Sequence, residues 1–146
     1  MEQGGYARIV MKLEAKGDVY AEAPWGEEVG DGRFRIDNPP IWYYGIAWGD
    51  IVRAEFDEGE QLFEFRELVK PSGYRLVRIL FGDAEKGVKA AAKHLAKLER
   101  MGCDYEHQHP NTVCVNIPPA VDLEEITTYL DTSGLRWELA APHREQ

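Results

Sequence analysis

The chain has 146 residues, a formal net charge of −9, and 44% hydrophobic and 29% charged residues. It is long enough to bury a core in one domain or two small packed units, too apolar to be disordered, and without the ~20-residue apolar run that crosses a bilayer. Nucleic-acid binding needs Lys and Arg to neutralise phosphates, so the acidic balance excludes that class and favours a basic protein partner.

In chain order, "ARIVMKLE" alternates, with Ala7, Ile9, Met11 and Leu13 on one face, the period of a half-buried strand. A long loop is expected before Arg33, then a strand over "GRFRIDN" that stops at Pro39 and Pro40, where pairing fails. After the Gly49-Asp50 turn, "IVRAEF" and "QLFEFRELV" flank the "DEGE" turn as a hairpin. "YRLVRILF" (74–81) reads as a further strand. Asp83 is the expected cap of a helix running to about Met101. Its apolar side is Val88, Ala91, Ala92, Leu95 and Leu98, and Lys86, Lys89, Lys93 and Lys97 line the others. "CDYEHQ" and "TVCVNI" form a hairpin, Asp122 opens a second helix with the stripe Leu123, Ile126 and Leu130, and "LRWELA" ends the pattern as a strand. The resulting expectation is an α+β protein. Residues 1–72 would form a small antiparallel β-barrel-like subdomain, and residues 73–146 a ferredoxin-like βαββαβ subdomain.

Asp37, Asn38, Pro40, Gly45, Gly49, Asp50, Val52, Ser72, Gly73 and Arg78 form an ordered series: an Asp-Asn-x-Pro turn, a Gly-x-x-x-Gly-Asp-x-Val step, and a Ser-Gly leading to an Arg on the next strand. In this the chain resembles a widespread bacterial family of domains of unknown function, over about residues 7 to 140. The resemblance implies a fold and brings no activity with it. Trp42-Tyr43-Tyr44 and the long loop before Arg33 depart from the family pattern.

Four aromatic residues, Trp42, Tyr43, Tyr44 and Trp48, crowd into seven positions, too many to face inward together. Packing where the two halves join competes with a partner-binding surface as their role. The expectation is that both hold: Ile41 and some rings lie inside, and at least one ring is exposed. Asp57, Glu58 and Glu60 at a hairpin tip supply negative charge for a partner, in a half where 15 acidic against 8 basic residues give −7 (the other half, 11 against 9, gives −2). Arg78, inside an apolar strand beside Leu76 and Leu80, needs acceptors. Asp37, Asn38, Asp50 or backbone carbonyls are the candidates for a tie between the halves. Cys103, His107, His109 and Cys114 have ligand chemistry, but strand alternation sets the two cysteines on opposite faces, so no metal is expected. Nucleophile elbows, phosphate loops and His-Glu metal motifs are absent from the sequence, and no cofactor is expected.

The reading is a cytoplasmic, non-enzymatic protein-binding module, of an immunity or antitoxin-like kind, whose acidic and aromatic surface occludes a basic partner. A small-ligand sensor built on the ferredoxin-like unit is the alternative, and an enzyme is the minority reading.

Overall fold

Strand β1 (Tyr6–Ala15) keeps the expected alternation and buries Ile9 and Met11 completely. The protein is described by a computed structural model over residues 5–82, 84–109 and 111–142, with the side chains of residues 84–90 and 108 outside the description. Asp83 and the side chains of Lys86, Val88 and Lys89, for which roles were expected, therefore lie outside the described residues.

The stretch before Arg33 is not a loop. Lys16 (φ 53°) and Gly17 (φ 83°) turn the chain into β2 (Asp18–Glu22), and β3 (Trp25–Gly30) continues along β1 in the same register. Met11 faces Glu22 and Arg8 faces Trp25. Asp31 (φ 47°) and Gly32 (φ 74°) make the next turn into β4 (Arg33–Ile36). Left-handed residue pairs of this kind match the twist of a two-residue hairpin. After the irregular segment 37–50 come β5 (Ile51–Asp57) and β6 (Leu62–Lys70), paired antiparallel as expected. Phe56 is exposed and packs edge-on against Phe63.

These strands form one six-stranded, ring-like sheet in the order β2-β1-β3-β4-β5-β6, with a further pairing of β6 back onto β1. Going round through β1, β3, β4, β5 and β6, each strand opposes the one before. Four reversals, an even number, leave the first and last running the same way. The closing pair is accordingly parallel, with Ile9 opposite Phe63 and Val10 opposite Glu64. Ile9, Met11, Phe34, Ile36, Ile46, Val52 and Ala54 fill the interior. The larger of these side chains contribute about 1.5–3 kcal/mol each on burial.

The second half runs β7 (Arg75–Leu80), α1 (Ala84–Arg100), β8 (Asp104–His109), β9 (Thr112–Ile117), α2 (Leu123–Ser133) and β10 (Arg136–Ala141). Its four strands lie in the order β10-β7-β9-β8, every pair antiparallel. Ala91, Leu95 and Leu98 of α1, with Ile126 and Leu130 of α2, cover Val77, Ile79, Val113 and Val115 on one face of this sheet. Ala92 lies outside that stripe and is exposed. Asp122 caps α2 by accepting the Glu124 N–H (3.0 Å), and Gly134 in the left-handed region (φ 75°) ends it. The architecture is thus α+β: mostly antiparallel sheets with two helices. Among the described residues no helix is long and apolar enough to cross a membrane.

Candidate functional site

Segment 37–50 has no regular structure because Pro39 and Pro40 deny it a ladder. It lies between the ring and the uncovered face of the second sheet, and its side chains divide accordingly. Ile46 enters the ring core with Tyr43 packed beside it, Tyr43 also meeting Phe65 edge-on at 5.4 Å. Ala47 packs with Leu76, Cys114 and Ala140 of the second sheet. Trp48 is half-buried edge-on against Tyr74, at 4.8 Å. Trp42 and Tyr44 remain 47% and 42% exposed. The aromatic run therefore both plugs the junction and shows two rings to solvent.

A buried irregular backbone must find partners for its N–H and C=O groups. Two charged side chains from elsewhere, Glu22 and Arg78, and one at the segment's own end, Asp50, supply many of them. The Glu22 carboxylate, at the end of β2, accepts the N–H groups of Ile41 (2.7 Å), Trp42 (2.8 Å) and Tyr43 (2.7 Å). Asp50, buried at the far end, accepts from Ala47 N (2.8 Å) and Ser72 N (2.8 Å). Burial pushes the Asp50 carboxyl up, and those two N–H groups oppose the rise. Arg78 projects from β7 at 2% exposure and donates to the Pro40 carbonyl (3.0 and 3.2 Å) and the Tyr43 carbonyl, with Glu138 at 3.4 Å. Its guanidinium also lies 5.0 Å from the centre of the Tyr44 ring, whose hydroxyl donates to Glu138 (2.6 Å). That bond to a carboxylate, with burial, holds the Tyr44 phenol above its ordinary value.

Residues that carried the family resemblance meet one another here. Ser72 donates its backbone N–H to Asp50 and its hydroxyl to the Trp48 carbonyl (2.7 Å). A Cβ on Gly49 (φ 82°) would stand 3.1 Å from the Ser72 Cβ, so backbone angle and space both require glycine. The acceptors of Arg78 are carbonyls and Glu138, not Asp37 or Asp50. Asp37 is exposed, whereas Asn38 accepts the Trp25 N–H (3.1 Å) and donates to Glu106 (3.3 Å). Glu22 and Glu138 were missed by the sequence reading; neither stands in a motif that marks it.

The acidic tip is not brought to the aromatic rings. Asp57 accepts from Gly59 N and Glu60 N within its own turn, and β6 then sets out beside the beginning of β1. Trp42 instead lies at the other end of β1, where Leu13, Ala15, Lys16, Tyr20 and Trp42 enclose a groove of about 470 Å3. From Ile9 to Ala15 is about 20 Å along a strand. Trp42 also meets the His109 ring, 6.4 Å between centres. Cys103 lies in the helix-side core and Cys114 in the junction core. Burial pushes their thiols up to about 11 and about 12, the wrong direction for a thiolate ligand or nucleophile. Among the described residues no His, Cys, Asp and Glu side chains cluster as a metal site.

Glu106, half-buried between Asn38 and Asn116, has its carboxyl pushed up chiefly by burial, with Asp37 and Asp104 adding to the rise. A folded pKa above the unfolded one means that this group's contribution is complete below the ordinary carboxylate range and is lost as pH rises through the raised value. Glu106→Gln removes that slope. Measured by urea unfolding, the stability of the variant relative to the unaltered protein should rise between about pH 5 and about pH 7, and a relative stability that does not change with pH would speak against the assignment.

The fold and junction define an α+β protein of two mostly antiparallel sheets joined through a pinned aromatic segment. Residues 22–138 match the family described as a domain of unknown function, DUF4265, and the chain belongs to it. A crystal structure described as that of a hypothetical protein from Neisseria gonorrhoeae is similar over 99% of both chains, with 22% identity and a TM-score of 0.70, a likeness of fold. Among curated proteins none matches.

Proposed function

We propose that the protein is a non-enzymatic protein-binding module, of an immunity or antitoxin-like kind, that occludes a basic partner. The observation that carries this reading is the pair Trp42 and Tyr44, half-exposed on a backbone fixed by Glu22 and Arg78. Rings held in place lose little entropy on binding, and aromatic residues beside a groove are the usual energetic centre of an interface. The groove between Tyr20 and Trp42 takes an apolar side chain of the partner. Asp57, Glu58 and Glu60, remote from the rings, act on approach through their field rather than by contact. On the same reading the ring is a small barrel, supported by the β1–β6 closure. The second half is a ferredoxin-like unit, supported by its strand order and its two intervening helices. Its cytoplasmic location belongs to this proposal too.

The test is association kinetics with a partner recovered by pull-down. Trp42→Ala should weaken binding by ~2 kcal/mol, mainly through faster dissociation, with the fold intact by circular dichroism. Neutralising the three tip carboxylates should slow association and flatten its salt dependence. A partner indifferent to both sets of changes removes the reading.

A further inference from the structure

Where the ladder against β1 is interrupted at Ala23-Pro24, the outside of the ring carries a second cavity, of about 380 Å3, walled by Arg8, Glu22, Trp25, Asn38, Pro39 and Ile41 among others. Arg8 and Trp25 are cross-strand partners. The guanidinium lies over the indole, 4.7 Å from its centre, and gives one N–H to the Ala23 carbonyl (2.9 Å). The other polar side chains of the wall are already committed. Glu22 accepts three backbone N–H groups, and Asn38 uses both its oxygen and its nitrogen. Among the described residues, what remains is a set of donors: the other Arg8 N–H groups and the Trp25 indole N–H.

Spare donors select a ligand that accepts. A planar guanidinium fork matches the two oxygens of a carboxylate, and its charge strengthens the bonds. A dianion such as a phosphate monoester suits the wall less well, because the Glu22 carboxylate stands in it. The indole face, Pro39 and Ile41 offer apolar contact, and the volume falls at the small end of ligand cavities. We infer that this cavity binds a small monocarboxylate carrying one flat apolar ring, with the carboxylate on Arg8 and the ring against Trp25, Pro39 and Ile41. The inference does not rest on the docking role of Trp42 and Tyr44.

The experiment titrates benzoate and phenylacetate, and their neutral amides benzamide and phenylacetamide, into isotope-labelled full-length protein while the Trp25 indole N–H resonance is followed. Saturable shifts are expected from the acids, with the amides weaker by roughly tenfold or more. Arg8→Gln should bring the acids down to the level of the amides, and Arg8→Lys should retain part of the affinity. Arg8 is exposed, so both variants are expected to fold. In the unaltered protein the same acids should bind more weakly as salt is raised, a readout that needs no variant. No shift with either acid up to about 10 mM, amides that bind as well as acids, or affinity indifferent to salt would overturn the inference.

Discussion

Replacing Arg78 with Ala should lower the free energy of unfolding by about 3 kcal/mol or more. The guanidinium is 2% exposed and carries most of its bonds to two carbonyls, Pro40 and Tyr43, that lie where water does not reach the side chain that serves them. Each buried acceptor left without a donor costs about 1–3 kcal/mol, and the cavity left by the side chain adds to this. Arg78→Met separates the two contributions. It restores most of the volume and none of the donors, so it should recover only a minor part of the loss. Arg78→Lys keeps the charge but not the fork or the stacking over Tyr44, and should fall between. Urea unfolding of the three variants measures the series. An Arg78→Ala midpoint equal to that of the unaltered protein would show that the junction is held by packing alone.

Glu22→Ala should be the second large effect, about 2 kcal/mol. Three backbone donors converge on one carboxylate, but the Trp42 N–H can return to water, so the cost lies in the Ile41 and Tyr43 N–H groups, which are half-buried. Glu22→Gln keeps one acceptor oxygen and should lose less. Because Glu22 and Arg78 grip the same few residues, 40–43, the double variant should lose less than the two single losses combined. Fluorescence of the chain should change with Glu22→Ala as the Trp42 backbone is released. Additive losses in a double-mutant cycle would mean that the two charges act on independent structures.

Most of the architecture was legible. Residues 7–13, 51–54 and 112–117 alternate or run apolar in the way their burial demands, and Asp122 and Gly134 mark the ends of α2 by chemistry that acts locally. The strands 18–22 and 25–30 were not legible by period, because 18–21 are exposed and 28–30 have no buried face to enforce alternation. Their turns were the better signal. Asp31-Gly32 is a strong hairpin dipeptide, and Lys16-Gly17 adopts the same left-handed geometry. At the junction, an Arg inside an apolar strand announces that it needs acceptors, and Arg78 was found that way. Glu22 was not, since an acidic residue near the end of a polar stretch looks solvated until the chain 41–43 is folded over it. The distance between the acidic tip and the rings is likewise a property of strand register, which composition cannot carry.

The parallel seam between β1 and β6 has a consequence for how the chain folds. Its pairs, Ile9 with Phe63 and Val10 with Glu64, join residues 54 apart in sequence, whereas the ladders of the β1–β2 and β5–β6 hairpins join neighbours across short turns. Closing so long a loop carries a large entropic cost that local hairpins avoid, and contacts of high sequence separation slow folding. The seam is also short, so few hydrogen bonds must break to part it. It is therefore expected to be the last join of the ring to form and the first to open. Transient exposure of the core residue Ile9, and of the partly buried Phe63 packed against that core, should begin at that line rather than at the hairpins.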